Sequence, residues 1–486
     1  MKKITSILLA VIMVIGVFFA VPTTANAYDY YYDTVTSGDY VYRVLPDGTA
    51  EITGYVGYQQ EIEIPPIIDN YLVTSIGDEA FTYNLNPPPL MSSIAQTRAS
   101  KYVRLYKVVI PITVKNIGDR AFCLCNYLSE IVIPSSVTSI GDDAFYGTPW
   151  LESQPDGCVY INDVLYCYKG DMPENTDIVV RNGTVQISSH AFMDYKNLSS
   201  ITIPDSVTSI GSFAFYGCTG LTYAPLPPSL TSLGEYAFYD CVGITEIELP
   251  PSLTVLESSV FEGCEGITEV VIPDTVTYIK ASVFRYCKNL SSITIPSTDI
   301  RILSGTFDGT PWYKKQPDGY IYINNMLYDY KGTVPENTVV EIREGTTEIC
   351  AQVFENQRNI IGVKIPDSVS IINVEAFRYC DNLKYVVVRD TVKSLGLYAF
   401  SQGITMYGMA GSAAEEYSKI PRFEVNFILI GDVDDDGNIS ITDATEIQRI
   451  VALLSQMNDF NVVDYDGDGV VSVLDATSIQ LKLAKA

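Results

Sequence analysis

Phenylalanine recurs along this chain at positions 81, 122, 145, 192, 215, 238, 261, 284, 307, 354, 377 and 400, mostly at intervals of 23 residues. A fixed period of that length excludes an ordinary globule, because one unit is too short to bury its own apolar face and must stack on its neighbours. One clean unit runs from Leu198 to Cys218, and the next begins at Leu221. Alternating Ile201 and Ile203 mark a short strand, Pro204 ends it, and Val207, Ile210, Ala214 and Phe215 supply an apolar return segment. Stacked copies predict an α/β-type solenoid with a parallel sheet on one face and turns or short helices on the other.

Two insertions, at about residues 148–190 and 310–352, interrupt the period and are copies of one another. Each predicts a hairpin, with Asn162–Asp163 and Asn324–Asn325 as two-residue turns that favour positive φ. The chain's two tryptophans, Trp150 and Trp312, stand at the starts of these segments, where they are expected to pack beneath the hairpins or to help form a ligand platform. A third insertion of 18 residues, near Asn86 and Pro87 and followed by Arg98, Lys101 and Arg104, is either a contact surface or a loop. Tyr-rich residues 28–60 are read as an N-terminal cap, and Ser412 as the N-cap of a short helix closing the other end.

The run Ile203–Gly211 followed by Ala214 and Phe215 resembles the BspA-like leucine-rich repeats of bacterial surface and secreted proteins. That resemblance implies 23-residue leucine-rich repeats forming one domain over residues 61–427.

A second pattern occupies the end of the chain. Asp432, Asp434, Asp436, Asn438, Ser440 and Asp443 recur 32 residues later as Asp464, Asp466, Asp468, Val470, Ser472 and Asp475, with Gly437 and Gly469 at the sixth position. Carboxylates at loop positions 1, 3, 5 and 12, with glycine at 6, are what a Ca²⁺ loop requires, Asn438 and Val470 offering backbone carbonyls. The duplication predicts two bound Ca²⁺, since converging carboxylates repel one another without a cation between them. A helix is expected after each loop, from Ala444, Ile447, Val451 and Leu454 in the first copy and Ala476, Ile479 and Leu483 in the second.

This duplicated loop and helix, with Asp rather than Glu at position 12, resembles the type I dockerin of cellulosomal proteins. The resemblance implies a small all-α calcium-binding domain of two EF-hand-like segments over residues 428–486 that docks onto a cohesin of a scaffold protein. It places the cohesin contact on Ile441, Thr442, Gln448 and Arg449 in the first copy and on Val473, Leu474, Gln480 and Leu481 in the second.

At the other end, Lys2 and Lys3, an apolar run from Ile7 to Val21, and Ala25 and Ala27 make residues 1–27 a secretory signal peptide. No later apolar stretch is long enough to span a bilayer, so the mature chain is expected outside the cell, soluble or held to a surface through a scaffold. The formal charge of −27 argues against nucleic acid as a partner. Cys125, Cys218, Cys241, Cys264, Cys287 and Cys380 each follow a repeat Phe by three residues, which makes them a buried ladder rather than a disulfide framework. A two-residue turn would set Cys158 opposite Cys167 at about 4.5 Å between Cα atoms, close enough for a cross-strand disulfide.

His190 is the only histidine and is expected to be a structural turn residue, so a Ser-His-Asp triad and a multi-His zinc site are both out of reach. Glycoside hydrolysis needs only two carboxylates, and Glu246, Glu248 and Glu269 should face outward together on strands about 4.8 Å apart. There they would repel one another enough to raise a pKa. They form a candidate ligand patch on an open face, without the enclosing pocket catalysis usually requires. The chain is read as a secreted, non-catalytic interaction protein of a polysaccharide-degrading assembly, its repeats binding an extracellular protein or polysaccharide. Two other readings stand beside it: a cell-surface adhesin, and an unrecognised glycoside hydrolase.

Overall fold

The computed structural model describes residues 34–82, 104–224, 226–296, 300–432, 439–445, 465 and 473–483. The expected signal peptide and most of the 18-residue insertion lie outside them. The chain divides into two compact units, 1–154 and 155–486.

In the first unit an antiparallel meander, Val35–Ser37, Tyr40–Val44 and Ala50–Tyr55, starts the array. Its last strand pairs in parallel with Tyr71–Ile76, to which Asn116–Ile117 and then Ser139–Ile140 are added. A second set of parallel strands joins Glu61–Glu63, Lys107–Val109 and Glu130–Val132. Between the two sets the rings of Tyr55, Phe81, Phe122 and Phe145 follow one another at 6.0, 4.8 and 5.6 Å. Trp150 tilts against Phe145 at 5.0 Å and ends the stack.

The second unit repeats this plan twice, and each time a hairpin begins the array. Gly157–Ile161 pairs antiparallel with Val164–Lys169, which continues in parallel through Gln186–Ile187, Ser209–Ile210 and Ser232–Leu233. Gly319–Ile323 and Met326–Lys331 do the same for Glu348–Ile349, Ile371–Ile372 and Ser394–Leu395. The longer strands, such as Leu198–Thr202 and Ile360–Lys364, form the other ladder. Each rung therefore contributes to two parallel ladders, where the sequence led us to expect a sheet on one face only. The second ladder is two residues wide, too short to register as an alternating pattern.

The third wall of most described rungs is a turn segment with two residues at positive φ, four positions apart. His190 and Asp194 stand at 59° and 62°, Phe213 and Gly217 at 58° and 67°, Tyr236 and Asp240 at 57° and 53°. An L-residue in this region costs about 1–2 kcal/mol. Stacking offsets that cost, because each such N–H reaches a carbonyl of the following rung: His190 to Ser212 at 3.0 Å, Phe213 to Glu235 at 2.9 Å, Asp194 to Tyr216 at 2.7 Å. His190 is thus a turn residue, its ring stacked on Phe213 at 5.2 Å, as expected.

Phe192, Phe215, Phe238, Phe261, Phe284 and Phe307 are fully buried and stack in step. Trp312 closes this run against Phe307 at 4.8 Å. Both tryptophans therefore terminate phenylalanine stacks. The cysteines form the expected ladder, each thiol donating to the carbonyl of a Phe in the preceding rung: Cys218 to Phe192 at 3.0 Å, Cys241 to Phe215 at 3.0 Å, Cys380 to Phe354 at 3.1 Å. Burial pushes the Cys218 thiol up to about 12.

None of the ten cysteines is disulfide-bonded. Cys158 does not face Cys167, because a β-bulge between Val159 and Tyr160 shifts the hairpin register by one residue and pairs Cys167 with Val159 and Cys158 with Tyr168. The one-residue slip turns the two side chains to opposite faces. The twin hairpin carries the same bulge between Ile321 and Tyr322.

Candidate functional site

The end of the second unit leads into the first acidic loop. Thr405–Gly408 pairs in parallel with Tyr385–Val388, and Asn426–Leu429 then adds the last strand to the same ladder. Between them lies the helix Ala413–Ser418, capped by Ser412 as expected: its hydroxyl accepts from the N–H of Glu415. Only Ile430 and Gly431 separate the final strand from Asp432, the first loop position. Ile430 N–H donates to Gly408 O at 2.8 Å and Asp432 N–H to Leu429 O at 3.1 Å, so these residues are held by backbone bonds.

In the first loop Ser440 and Asp443 cap the helical residues 441–445. The Asp443 carboxylate accepts from the Ser440 N–H at 2.7 Å and from the Ser440 hydroxyl at 3.1 Å, while Ser440 Oγ accepts from Thr442 N–H at 3.0 Å. This reciprocal arrangement satisfies orphan donors of the first turn. In the second copy Asp475 lies in the first turn of the helix Val473–Leu483. Asp432 is 4% exposed, and Asp443 and Asp475 are wholly buried. Carboxylates so deeply placed need compensation, and hard oxygen donors at these spacings suit a Ca²⁺ ion. The other metal candidates, Asp434, Asp436, Asn438, Asp464, Asp466, Asp468, Val470 and Ser472, lie outside the described residues.

Of the candidate cohesin contacts, Ile441 is 60% exposed and Thr442 is exposed. Gln448 and Arg449 lie outside the described residues. Val473, Leu474, Gln480 and Leu481 fall on the second helix, where the Gln480 side chain is half-buried and the other three side chains lie outside the description.

Glu246, Glu248 and Glu269 are exposed on the longer-strand ladder, but the strands do not pair as expected. Glu246–Ile247 pairs with Tyr223–Ala224 and Glu269–Val271 with Ser292–Thr294, and no ladder pairing joins the two sets among the described residues. The same ladder is also interrupted between Leu198–Thr202 and Tyr223–Ala224, where no like charges face, so the break is not peculiar to the glutamates. Elsewhere along the array, opposite charges one repeat apart do meet. Lys288 and Glu265 approach at 2.5 Å, Lys364 and Glu341 at 2.7 Å, and Lys107 pairs with Glu130. These pairs are readable in hindsight as charges of opposite sign at the same phase of the repeat.

A model of the BspA-type leucine-rich repeat region matches residues 55–166, 185–312 and 328–407, in six copies. The chain belongs to this family. The dockerin type I domain model matches residues 430–484 of the repeat protein, beginning at the buried Ile430. Neither is a catalytic module. Type I dockerins bind calcium and dock onto cohesins, so a protein-interaction module closes the chain.

No curated protein matches. Among solved structures, the repeat protein is similar to a leucine-rich cell surface protein from Faecalibacterium prausnitzii, with 24% identity over 84% of this chain and 97% of that one, at a TM-score of 0.27. A leucine-rich repeat protein from Bacteroides ovatus gives 19% identity over 82% and 91%, at 0.28. One from T. pallidum gives 23% identity over 53% and 90%, at 0.22. With scores this low, the fold rests on the family match and on the geometry above. No helix among the described residues is long and apolar enough to cross a membrane.

Proposed function

We propose that this repeat protein is a secreted, non-catalytic subunit whose dockerin, loaded with two Ca²⁺, attaches it to a scaffold cohesin while the repeat array presents a surface to an extracellular ligand. The carrying observation is the duplicated acidic loop whose Asp432, Asp443 and Asp475 are buried at the end of an array built from non-catalytic repeats. Calcium would be held by Asp432, Asp434, Asp436, Asn438, Ser440 and Asp443 in one loop and by Asp464, Asp466, Asp468, Val470, Ser472 and Asp475 in the other. Bound there, the ion neutralises the carboxylates and fixes the start of each helix.

Exposed Ile441 and Thr442, with Gln448 and Arg449, form the cohesin-facing side of the first copy, and Val473, Leu474, Gln480 and Leu481 that of the second. A polysaccharide-degrading assembly is the setting that a type I dockerin supports. Calorimetric titration of the mature chain with a panel of cohesins, in calcium and in EGTA, tests the reading. Tight binding in calcium alone supports it. Calcium uptake without binding to any cohesin overturns the scaffold role.

A further inference from the structure

Residues facing outward from the longer-strand ladder are exposed along most of the second unit. Thr202, Glu248, Thr294, Glu341 and Lys364 are all open, and Val271 is 62% exposed. At the C-terminal end the pattern changes. Val387 is half-buried and Tyr407, at the equivalent place in the next strand, is only 4% exposed. Thr405–Gly408 is consequently buried on both faces, Met406 toward the array and Tyr407 away from it. An outward-facing ring on a solvent-side ladder is buried only if something lies over it.

The covering element is the dockerin. Tyr407 shares one buried cluster with Ile430, Ala444, Tyr465, Ala476 and Ile479, against which Val387, Met409, Ile428 and Ile439 also pack. Both ends of the connection are tight. Gly431 stands at φ 96°, where a side chain would meet the Tyr465 ring at 2.7 Å, and a side chain at Gly408 would meet Ala414 at 2.7 Å and Phe427 at 2.9 Å. With only Ile430 and Gly431 between the ladder and Asp432, and with the Ile430 and Asp432 N–H groups both bonded back to Gly408 and Leu429, the module has no slack to swing on.

We propose that the outward strip Val387–Tyr407–Ile428 is a docking surface whose partner is the chain's own calcium module, and that calcium occupancy decides whether this strip is covered. The inference rests on the calcium reading of the dockerin. Its core residues Ala444 and Ala476 each directly follow a loop-terminal aspartate, Asp443 and Asp475. Calcium release therefore loosens the helices that carry the covering side chains, because a metal site absent from the unfolded chain ties metal binding to folding. An apolar strip then opens on the array and its last two strands lose their cover. Coupling is reciprocal, so weakening the strip must weaken calcium binding in turn.

Hydrogen exchange on the full mature chain tests this. In EGTA, exchange at residues 405–409 and 426–430 should quicken about tenfold relative to calcium, while Ile371–Ile372 is unchanged. Asp475→Asn, remote from the ladder in sequence, should reproduce the effect in calcium. Tyr407→Glu should raise the calcium concentration that half-protects the module by about tenfold, and Tyr407→Phe should not. Loss of protection confined to residues 439 onward, with 405–409 unmoved although calorimetry shows calcium leaving, would overturn the coupling while sparing the calcium reading. Absence of any calcium uptake would overturn both.

Discussion

The thiol of Cys264 donates to the carbonyl of Phe238, 3.1 Å away and 26 residues earlier, so a side chain of one rung satisfies the backbone of the rung before it. Burial holds the Cys264 thiol well above its ordinary value. Thiolate is the reactive form, so this sulfur is expected to resist alkylation in the native chain. In native iodoacetamide labelling read by peptide mass, Cys264 and Cys241 should stay unmodified at pH 8 while half-buried Cys167 is labelled. Cys264→Ala removes the donor and leaves a small void, lowering stability by about 1–3 kcal/mol in denaturant melts.

The phenylalanine stack predicts a larger loss with a neighbour dependence. Phe261 is fully buried between Phe238 at 5.6 Å and Phe284 at 5.8 Å. Phe261→Ala should cost about 3–5 kcal/mol. Combined with Phe284→Ala the loss should fall short of the sum, since the two share a cavity, whereas Phe261→Ala with Phe377→Ala should add. A double-mutant cycle in urea distinguishes these.

Arg301 predicts a cost for a weakened charge pair. Its Nε lies 3.0 Å from Glu348, a residue 7% exposed, and its Nη2 donates to Asn373 at 2.9 Å across the second insertion. Arg301→Ala leaves the Glu348 carboxylate with only the Asn373 amide donating to it, at 2.6 Å, and should cost about 1–3 kcal/mol, measured by thermal unfolding. Arg301→Met with Glu348→Leu should recover most of that loss. A double variant no better than the single one would refute the argument.

Asp119 predicts a pH dependence in the first unit. Burial, with the like charges of Asp142 and Asp78, raises its carboxyl above the ordinary range, although the Asp142 N–H at 2.8 Å opposes the shift. A raised folded value means the native state binds more protons than the unfolded one in that window, so this group's stability is greatest below the ordinary carboxylate range and falls as pH rises through the raised value. Asp119→Asn keeps an oxygen acceptor for Asp142 but cannot ionise. Denaturation from pH 3 to 7 should show the variant losing that slope relative to wild type. Identical slopes would sink the assignment.

The calcium loops predict a helix-coupled loss. Asp443→Ala removes both a candidate ligand and the acceptor of Ser440, so helical circular dichroism assigned to the module should become insensitive to calcium. Retained calcium response in that variant would place the ligand elsewhere.

Much of this protein was legible from residue spacing. Phe192 through Phe307, the cysteine ladder and the capping Ser412 could be placed because every rung carries the same side chain to the same depth. The dockerin was legible for a similar reason, since its duplicated acidic pattern recurs at set positions and the domain model matches it at residues 430–484. Other features escaped. A single bulged residue in the first hairpin turned Cys158 away from Cys167, and no propensity marks where that bulge falls. Glu246 and Glu269 share a phase, yet their strands fail to pair.

The sequence by itself determined the period and the buried side chains, because composition at fixed intervals dictates what must be hidden from water. Tertiary structure alone decided the left-handed backbone at His190, Phe213 and Tyr236, and the seat of the dockerin over Tyr407. The first is possible only because a carbonyl in the next rung accepts each N–H. The second exists only because strand Asn426–Leu429 joins the ladder two residues before the first loop. Hydrogen bonds and apolar contacts between residues 20 or more positions apart carry both, and no local run of side chains encodes them.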